Sequence, residues 1–203
     1  MRLYLVTDPV LVPAGRLVET VLAAVRGGVT MVQVRDKTGP PDDVATQVEA
    51  LLRHLRPRGV PVLVNDLVDV AARTGADGVH LGQGDGDPRT ARARLGPHAV
   101  IGLSIASDAE LDAAPLDAID YLGLSPVFAT ATKPDHDPPL GLEGARRLVQ
   151  RTHRPCVGIG GIDAARAAHV FATGVAGIAV VSAICAAADP ERAARDILRG
   201  EQS

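Results

Sequence analysis

The residues of this sequence that could perform chemistry are polar side chains that follow short apolar runs. Eight such runs, rich in Val, Ile and Leu, each lead into amide, hydroxyl, carboxylate or cationic groups, or into glycines. The set comprises Asp8, Gln33, Arg35, Lys37, Asn65, Asp66, Gln83, Asp85, Ser104, Ser125, Thr130, Thr132, Lys133, Gly160, Gly161 and Ser182. Because it contains both lysines of the chain and its only asparagine, scattered surface polarity does not account for it. We interpret the set as one site.

The cations of this set favour binding of a polyanion. Arg35, Lys37 and Lys133, together with Asn65, suit a phosphate or a diphosphate. Lysine is rare in the chain, where 19 of the 21 basic residues are arginine. Retention of lysine at these two positions suggests that arginine does not serve there.

Two carboxylates of the set predict a metal site. Asp66 and Asp85 follow neighbouring runs and offer hard oxygen ligands among cations, which suits Mg²⁺ with water and phosphate completing its shell. A second interpretation of Asp66 is that it caps the N-terminus of a helix over 66–73.

The segment 125–140 contains four prolines and is long for a connection in a compact domain, which is typical of functional loops. Thr130, Thr132 and Lys133 within it could bind a second anionic group while the loop closes as a lid. A rigid surface excursion is the other interpretation of this segment.

The glycines of 158–162 and the residues at 180–182 predict a phosphate cup made of backbone N–H groups. Glycine also serves tight turns, so this signal is weak alone. We find no Ser-His-Asp or Cys-His arrangement, and we interpret His80 as a hydrogen-bonded core residue and Cys156 and Cys185 as small core residues. His136, in the long loop, is the one histidine with a candidate role. The site therefore favours electrostatics over proton transfer.

The elements that must position these residues are eight strands alternating with helices. The runs at 3–7, 30–35, 60–64, 77–81, 99–104, 119–124, 155–160 and 176–181 are continuously apolar, which is typical of parallel strands buried on both faces. Helical spacing lies between most of them, at 16–26, 42–55, 88–95, 107–114, 141–151, 163–172 and 189–199. The pattern predicts α/β structure, a single (β/α)8 TIM barrel spanning 1–203. A doubly wound sheet is the alternative, but no GxGxxG motif opens a first helix.

Composition narrows the function classes. No apolar run reaches the ~18 residues of a membrane span, and Met1 leads straight into a strand without a secretory signal, so we expect a cytoplasmic protein. A net charge of −3 and 2% aromatic residues argue against nucleic-acid binding. The expected partners are small-molecule substrates, whereas the sequence leaves the oligomeric state open, a homo-oligomer included.

Seven motifs resemble the thiamine phosphate synthase family, also called thiamine-phosphate pyrophosphorylase, over nearly the whole chain. They are GGVTMVQVRDK (27–37), VNDLVDVA (64–71), GADGVHLGQGD (75–85), IGLS (101–104), DYLGLSPVFATATKPD (120–135), GIGGI (158–162) and GIAVVSAI (177–184). The resemblance implies a (β/α)8 transferase that joins a hydroxymethylpyrimidine diphosphate to a thiazole phosphate and releases pyrophosphate with Mg²⁺ as cofactor.

The resemblance also implies roles for individual residues. Asp66 and Asp85 would hold Mg²⁺, with Lys133, Arg35 and Ser104 as catalytic residues. The pyrimidine diphosphate would be bound by Gln33, Arg35, Lys37, Asn65, Ser104 and Lys133. The thiazole phosphate would be bound by Thr130, Thr132, Gly161, Val181 and Ser182.

Three positions depart from the family pattern. Leu67 stands where arginine is common, Ala106 where histidine is common and Arg166 where asparagine is common. Two other functions stay open: a thiazole tautomerase, which is an isomerase on the same barrel, and a non-catalytic barrel that binds phosphorylated ligands. Retention of the diphosphate and metal residues argues against the isomerase, which needs neither.

Overall fold

A computed structural model, which describes residues 1–12, 15–130 and 138–200, places eight parallel strands in a closed barrel. The order around the barrel is that of the chain, and the first strand pairs with the last. The strands are β1 (Leu3–Val6), β2 (Met31–Val34), β3 (Val62–Asn65), β4 (Gly78–Leu81), β5 (Val100–Ile105), β6 (Tyr121–Leu124), β7 (Cys156–Ile159) and β8 (Gly177–Val180). This confirms the predicted (β/α)8 barrel.

Helices follow every strand and cover the outside of the barrel. They are α1 (Leu17–Arg26), α2 (Pro41–Leu55), α3 (Val68–Thr74), α4 (Pro88–Leu95), α5 (Asp108–Ala113), α6 (Gly141–Gln150), α7 (Ala164–Phe171), α8 (Ser182–Cys185) and α9 (Pro190–Arg199), with a 3₁₀ turn at Arg56–Arg58. Three of the helices begin with an N-cap: the side chains of Asp87, Ser107 and Asp189 accept backbone N–H groups of the first turn. The sequence did not predict α8, because four residues show no helical periodicity.

Two hydrophobic clusters stabilise the barrel. The larger one fills the layer between strands and helices and contains residues such as Leu5, Val32, Leu81 and Ile101. The smaller one fills the barrel interior and includes Tyr4, Met31, Leu63, Tyr121, Val157 and Ala179. Burial on both faces is why the strands are continuously apolar in sequence, since neither face meets water.

The parallel arrangement gathers all carboxyl ends of the strands at one rim, as the sequence analysis expected. The predicted runs begin and end within two residues of the observed strands, because apolar residues extend into the adjoining turns. Among the helices of the described segments, none is long and apolar enough to cross a membrane.

Candidate active site

A cavity of about 790 Å³ opens at the carboxyl ends of the strands. Most of the predicted set lines it: Asp8, Gln33, Arg35, Lys37, Asn65, Asp66, Asp85, Ser104, Ser125, Thr130, Gly160, Gly161 and Ser182. Val181, which the resemblance added, lines it as well. Gln83 lies beside it and donates its side-chain N–H to the Ser104 carbonyl, at 2.6 Å. Thr132, Lys133 and His136 lie outside the described residues. The sequence therefore located one cavity correctly from residues that are far apart along the chain.

Asp66 is aimed into the cavity by its backbone. Its φ of 60° lies in the left-handed region, which Asp and Asn tolerate better than other side chains with a Cβ. Its carboxylate accepts hydrogen bonds from the Lys37 ammonium and the Asn65 side-chain amide. Helix α3 begins at Val68, and the N-cap position is Leu67, without a side-chain cap. The interpretation of Asp66 as a helix cap is therefore wrong.

Asp85 completes a cluster of two carboxylates around one ammonium. Its Oδ1 lies 3.7 Å from the Lys37 Nζ, and its Oδ2 accepts the backbone N–H of Gly82 at 3.1 Å. Burial raises the pKa of the Asp66 carboxyl, Lys37 opposes this rise, and the neighbouring Asp85 charge adds to it. Two converging carboxylates that repel each other favour a cation between them. The pair and its hard oxygen donors thus fit a divalent ion such as Mg²⁺.

Arg35 supplies a second cation at the cavity. It follows β2 directly, and its backbone N–H donates to the Thr7 hydroxyl at 3.1 Å, which anchors the chain at this point. Within the described part of the chain its guanidinium forms no ion pair, whereas the Lys37 ammonium is held by Asp66. An arginine left without a carboxylate partner at a cavity is suited to an anionic ligand.

The turn after β7 packs against the loop that carries Thr130. Gly160 and Gly161 have φ values of 103° and 61°, and a Cβ on Gly160 would lie 2.6 Å from the Pro126 Cβ. The loop is held there because Val127 donates its N–H to the Ile159 carbonyl at 2.8 Å. Glycine is thus required both for backbone conformation and for close approach. This contact brings Thr130 to the same part of the cavity as Gly161.

Arg166 adds a cation that the sequence analysis treated only as a departure. Its Nη1 donates to the Gly161 carbonyl at 2.7 Å, and its guanidinium carbon lies 5.0 Å from the centre of the Phe128 ring. Both contacts hold the side chain back over the turn after β7, at the wall of the cavity. The sequence could have indicated this role, since Arg166 lies in the first turn of the helix that follows the glycines.

Tyr4 and Tyr121 also line the cavity, although in apolar strands their sequence positions are typical of core residues. Their hydroxyls lie 3.0 Å apart in the barrel interior. The His80 ring forms two hydrogen bonds: Nδ1 lies 2.8 Å from the Tyr121 hydroxyl, and Nε2 lies 2.9 Å from the Ser104 hydroxyl. His80 is thus hydrogen-bonded within the barrel, as expected, but it also lines the cavity.

The folded protein should lose stability on acidification through His80. Burial lowers the pKa of its ring to about 4 from 6.5, so below pH 6.5 the unfolded chain binds a proton that the folded chain does not. The free energy of unfolding therefore decreases as the pH falls from 6.5 toward 4, by at most about 3 kcal/mol. Urea unfolding at pH 7.5 and 5.0 should show a smaller difference for His80→Gln than for the wild type. An equal difference in both proteins would contradict this assignment.

Comparisons with known proteins agree on one family. The family model described as thiamine monophosphate synthase matches residues 3–184. Thiamine-phosphate synthases from Azorhizobium caulinodans and Xanthobacter autotrophicus are 51% and 50% identical, covering 97% and 96% of this chain and 93% and 92% of theirs. A solved structure of thiamine phosphate pyrophosphorylase from Pyrococcus furiosus has a TM-score of 0.88 at 36% identity, covering 99% of this chain and 95% of the other.

Proposed function

The chain belongs to the thiamine monophosphate synthase family and is a transferase that makes thiamine phosphate, and we propose that it joins a hydroxymethylpyrimidine diphosphate to a thiazole phosphate. The observation that carries the proposal is the convergence of Lys37, Asp66 and Asp85 at one cavity, with Arg35 on the same wall. These groups suit a diphosphate that leaves together with a metal ion. A tautomerase would need neither a diphosphate site nor this metal site.

The pyrimidine diphosphate is assigned to the side of the cavity formed by the ends of β2 to β5. Gln33 faces the ring and its substituents, while the diphosphate is surrounded by Arg35, Lys37, Asn65 and Ser104. In this proposal Lys133 adds a further cation to the diphosphate from outside the described residues. The complete set is Gln33, Arg35, Lys37, Asn65, Ser104 and Lys133, of which Arg35, Ser104 and Lys133 are the proposed catalytic residues.

The thiazole phosphate is assigned to the opposite side, at the ends of β6 to β8. Backbone N–H groups and hydroxyls dominate there, which suits a phosphate that is held but does not react. The proposed contacts are Thr130, Thr132, Gly161, Val181 and Ser182.

Asp66 and Asp85 would hold Mg²⁺. A bound Mg²⁺ would neutralise charge that builds on the leaving diphosphate. Arg35, Lys37 and Lys133 would contribute to the same task as fixed cations, which act most strongly where water is excluded.

The reaction needs little proton transfer from the protein. An electron-rich aminopyrimidine can expel diphosphate from its methylene carbon and leave a stabilised cation. The thiazole nitrogen then attacks with a lone pair that carries no proton. The chain therefore has to hold the ring nitrogen near the methylene carbon and keep water out of the cavity. This explains why the site has cations and hydroxyls but lacks a catalytic triad among its described residues.

The experiment that tests this function mixes both substrates with the purified protein and measures pyrophosphate with and without Mg²⁺. Stoichiometric pyrophosphate and thiamine phosphate that depend on Mg²⁺ are expected. Conversion of a thiazole without pyrophosphate would favour the tautomerase. Binding of the phosphates without any turnover would favour a non-catalytic barrel.

Arg166 is expected to strengthen binding of the thiazole phosphate. It lies on α7 and donates to the carbonyl of Gly161, so its guanidinium is placed to add a charge-assisted contact to the proposed phosphate. Arg166→Asn should raise the KM for the thiazole phosphate about tenfold, with a smaller change in KM for the pyrimidine diphosphate. Steady-state kinetics at two salt concentrations measures this, and the difference should shrink at high salt. Equal changes in both KM values would show that Arg166 acts only through the fold of the turn.

A further inference from the structure

A continuous chain of hydrogen bonds crosses the barrel interior from Gln33 to Ser104. Gln33 donates through Nε2 to the Tyr4 hydroxyl at 2.7 Å, and Tyr4 and Tyr121 share a hydrogen bond of 3.0 Å. The Tyr121 hydroxyl is 2.8 Å from His80 Nδ1, and His80 Nε2 is 2.9 Å from the Ser104 hydroxyl. We call this series of hydrogen bonds the relay. Of its five residues, only Gln33 and Ser104, at its two ends, have proposed substrate contacts.

The barrel wall is shaped around the relay. Gly102 and Gly123 lie on strands beside its rings, and a Cβ at Gly102 would come within 2.2 Å of the Tyr121 ring. A Cβ at Gly123 would come within 2.9 Å of His80 Cε1. The rings of His80 and Tyr121 are stacked at 5.5 Å, and those of Tyr4 and Tyr121 meet edge to face at 6.0 Å. Packing this close leaves the rings little freedom to leave the relay.

The relay has few self-consistent proton arrangements. Each tyrosine has one O–H to donate, and a neutral imidazole has one N–H. Both partners of the His80 ring are hydroxyls instead of carboxylates, so no relay contact favours a charged ring in this enclosed place. If no hydrogen of the relay is left without an acceptor, every member donates in the same direction along it. Either Gln33 donates and Ser104 keeps a free O–H for the cavity, or the whole order is reversed.

We propose that the relay couples the two ends of the pyrimidine site, with protons ordered from Gln33 toward Ser104 and His80 acting as a positioning residue. In this order the Gln33 Oε1 faces the cavity as an acceptor and the Ser104 hydroxyl faces it as a donor. The ends then match an amino substituent of the ring and an anionic oxygen of the diphosphate. The match to these ligands rests on the proposed function, whereas the order of protons does not.

The first test reads the tautomer of His80 in the substrate-free protein. Nitrogen NMR of ¹⁵N-histidine-labelled protein, with His80 identified from the spectrum of His80→Gln, should show an N–H at Nε2 and a bare Nδ1. An N–H at Nδ1, or a doubly protonated ring at pH 7, would overturn the proposed order. The measurement needs no substrate, so it stands even if the wild type fails to make thiamine phosphate, which would instead refute the proposed function.

The second test asks whether the relay carries the coupling. Tyr121→Phe removes the central hydroxyl and keeps the ring, so it disconnects Gln33 from Ser104. In a double-mutant cycle of Gln33→Ala and Ser104→Ala, we expect the effects on kcat/KM to deviate from multiplicativity by about fivefold. In the Tyr121→Phe background the deviation should fall to within about twofold. An unchanged deviation would show that the two ends couple without the relay.

A variant that preserves half of the relay provides the matched control. Tyr4→Phe disconnects Gln33 but leaves the bonds from Tyr121 through His80 to Ser104. Its His80 should therefore keep the N–H at Nε2, whereas Tyr121→Phe should yield a mixture of both tautomers. The same tautomer population in both variants would contradict control of His80 by the Tyr121 hydroxyl. Far-UV circular dichroism and urea unfolding establish that each variant is folded.

Discussion

Replacing Asp85 by asparagine is expected to reduce kcat/KM for thiamine phosphate formation about 10³-fold while the barrel stays folded. Asparagine has nearly the same shape, and its Oδ1 can still accept the backbone N–H of Gly82, so the loop after β4 keeps its anchor. What disappears is one of the two charges that would hold Mg²⁺ against the leaving diphosphate. Loss of one preorganised electrostatic contact at a reacting centre typically costs 10²–10³-fold, and loss of a metal ligand belongs at the upper end.

Asp66→Asn should behave in the same way, and it is the cleaner variant at the level of the backbone. Asparagine tolerates the left-handed conformation at position 66 as well as aspartate does, so the change removes charge without adding strain. Asp69→Asn is the matched control, because Asp69 is exposed and pairs with Arg94. The measurement is steady-state kinetics over a range of Mg²⁺ concentrations. Asp85→Asn or Asp66→Asn with wild-type Mg²⁺ dependence would show that the carboxylate is not a ligand.

The barrel could be predicted because short segments of the sequence are enough to recognise its strands and helices. Strands buried on both faces have to be continuously apolar, and parallel strands have to be joined by helices. The position of the site followed from the same argument, since polar residues that end such strands meet at one rim. The proposed roles of Lys133 and Thr132 remain predictions, because these residues lie outside the described part of the chain.

The relay could not be predicted, because its order depends on contacts between distant strands. Tyr4 and Tyr121 are 117 residues apart, and a periodicity argument treats each one as an ordinary core residue. The direction of the Asp66 side chain could not be predicted either. Whether this carboxylate caps a helix or points into the cavity depends on the backbone φ at position 66, which the sequence pattern does not show. Arg166 could have been recognised, because a cation one turn behind a glycine-rich loop is a local pattern.

Lys37 contacts both proposed metal ligands and would also contact the proposed diphosphate. Its ammonium lies against the Asp66 carboxylate and 3.7 Å from Asp85 Oδ1, where it offsets one of the two negative charges. It therefore lies where the two carboxylates converge, which is also where a divalent ion would bind. We expect that Mg²⁺ at this position would displace the ammonium, for which the proposed diphosphate would be a new partner. Lysine suits this exchange because its stem is flexible and its charge compact.

Lys37→Met should therefore change metal binding and catalysis in opposite directions. Removal of the competing ammonium leaves two carboxylates uncompensated, so Mg²⁺ or Mn²⁺ should bind the substrate-free variant at least about tenfold more tightly than the wild type. At the same time kcat/KM should fall about 10²-fold, because the leaving diphosphate loses a cation. Titration calorimetry without substrates measures the first effect, and steady-state kinetics measures the second.

Arg35→Met is the matched control that separates the two roles of Lys37. Arg35 lines the same cavity but forms no ion pair with Asp66 or Asp85 among the described residues, so its removal should leave the metal affinity within about twofold of the wild type. Its kcat/KM should still fall, because Arg35 would face the same proposed diphosphate. If Lys37→Met bound Mg²⁺ no more tightly than Arg35→Met, the ammonium would not compete for the metal position. Lys37 would then be only one more cation at the diphosphate, and the order of binding would not depend on it.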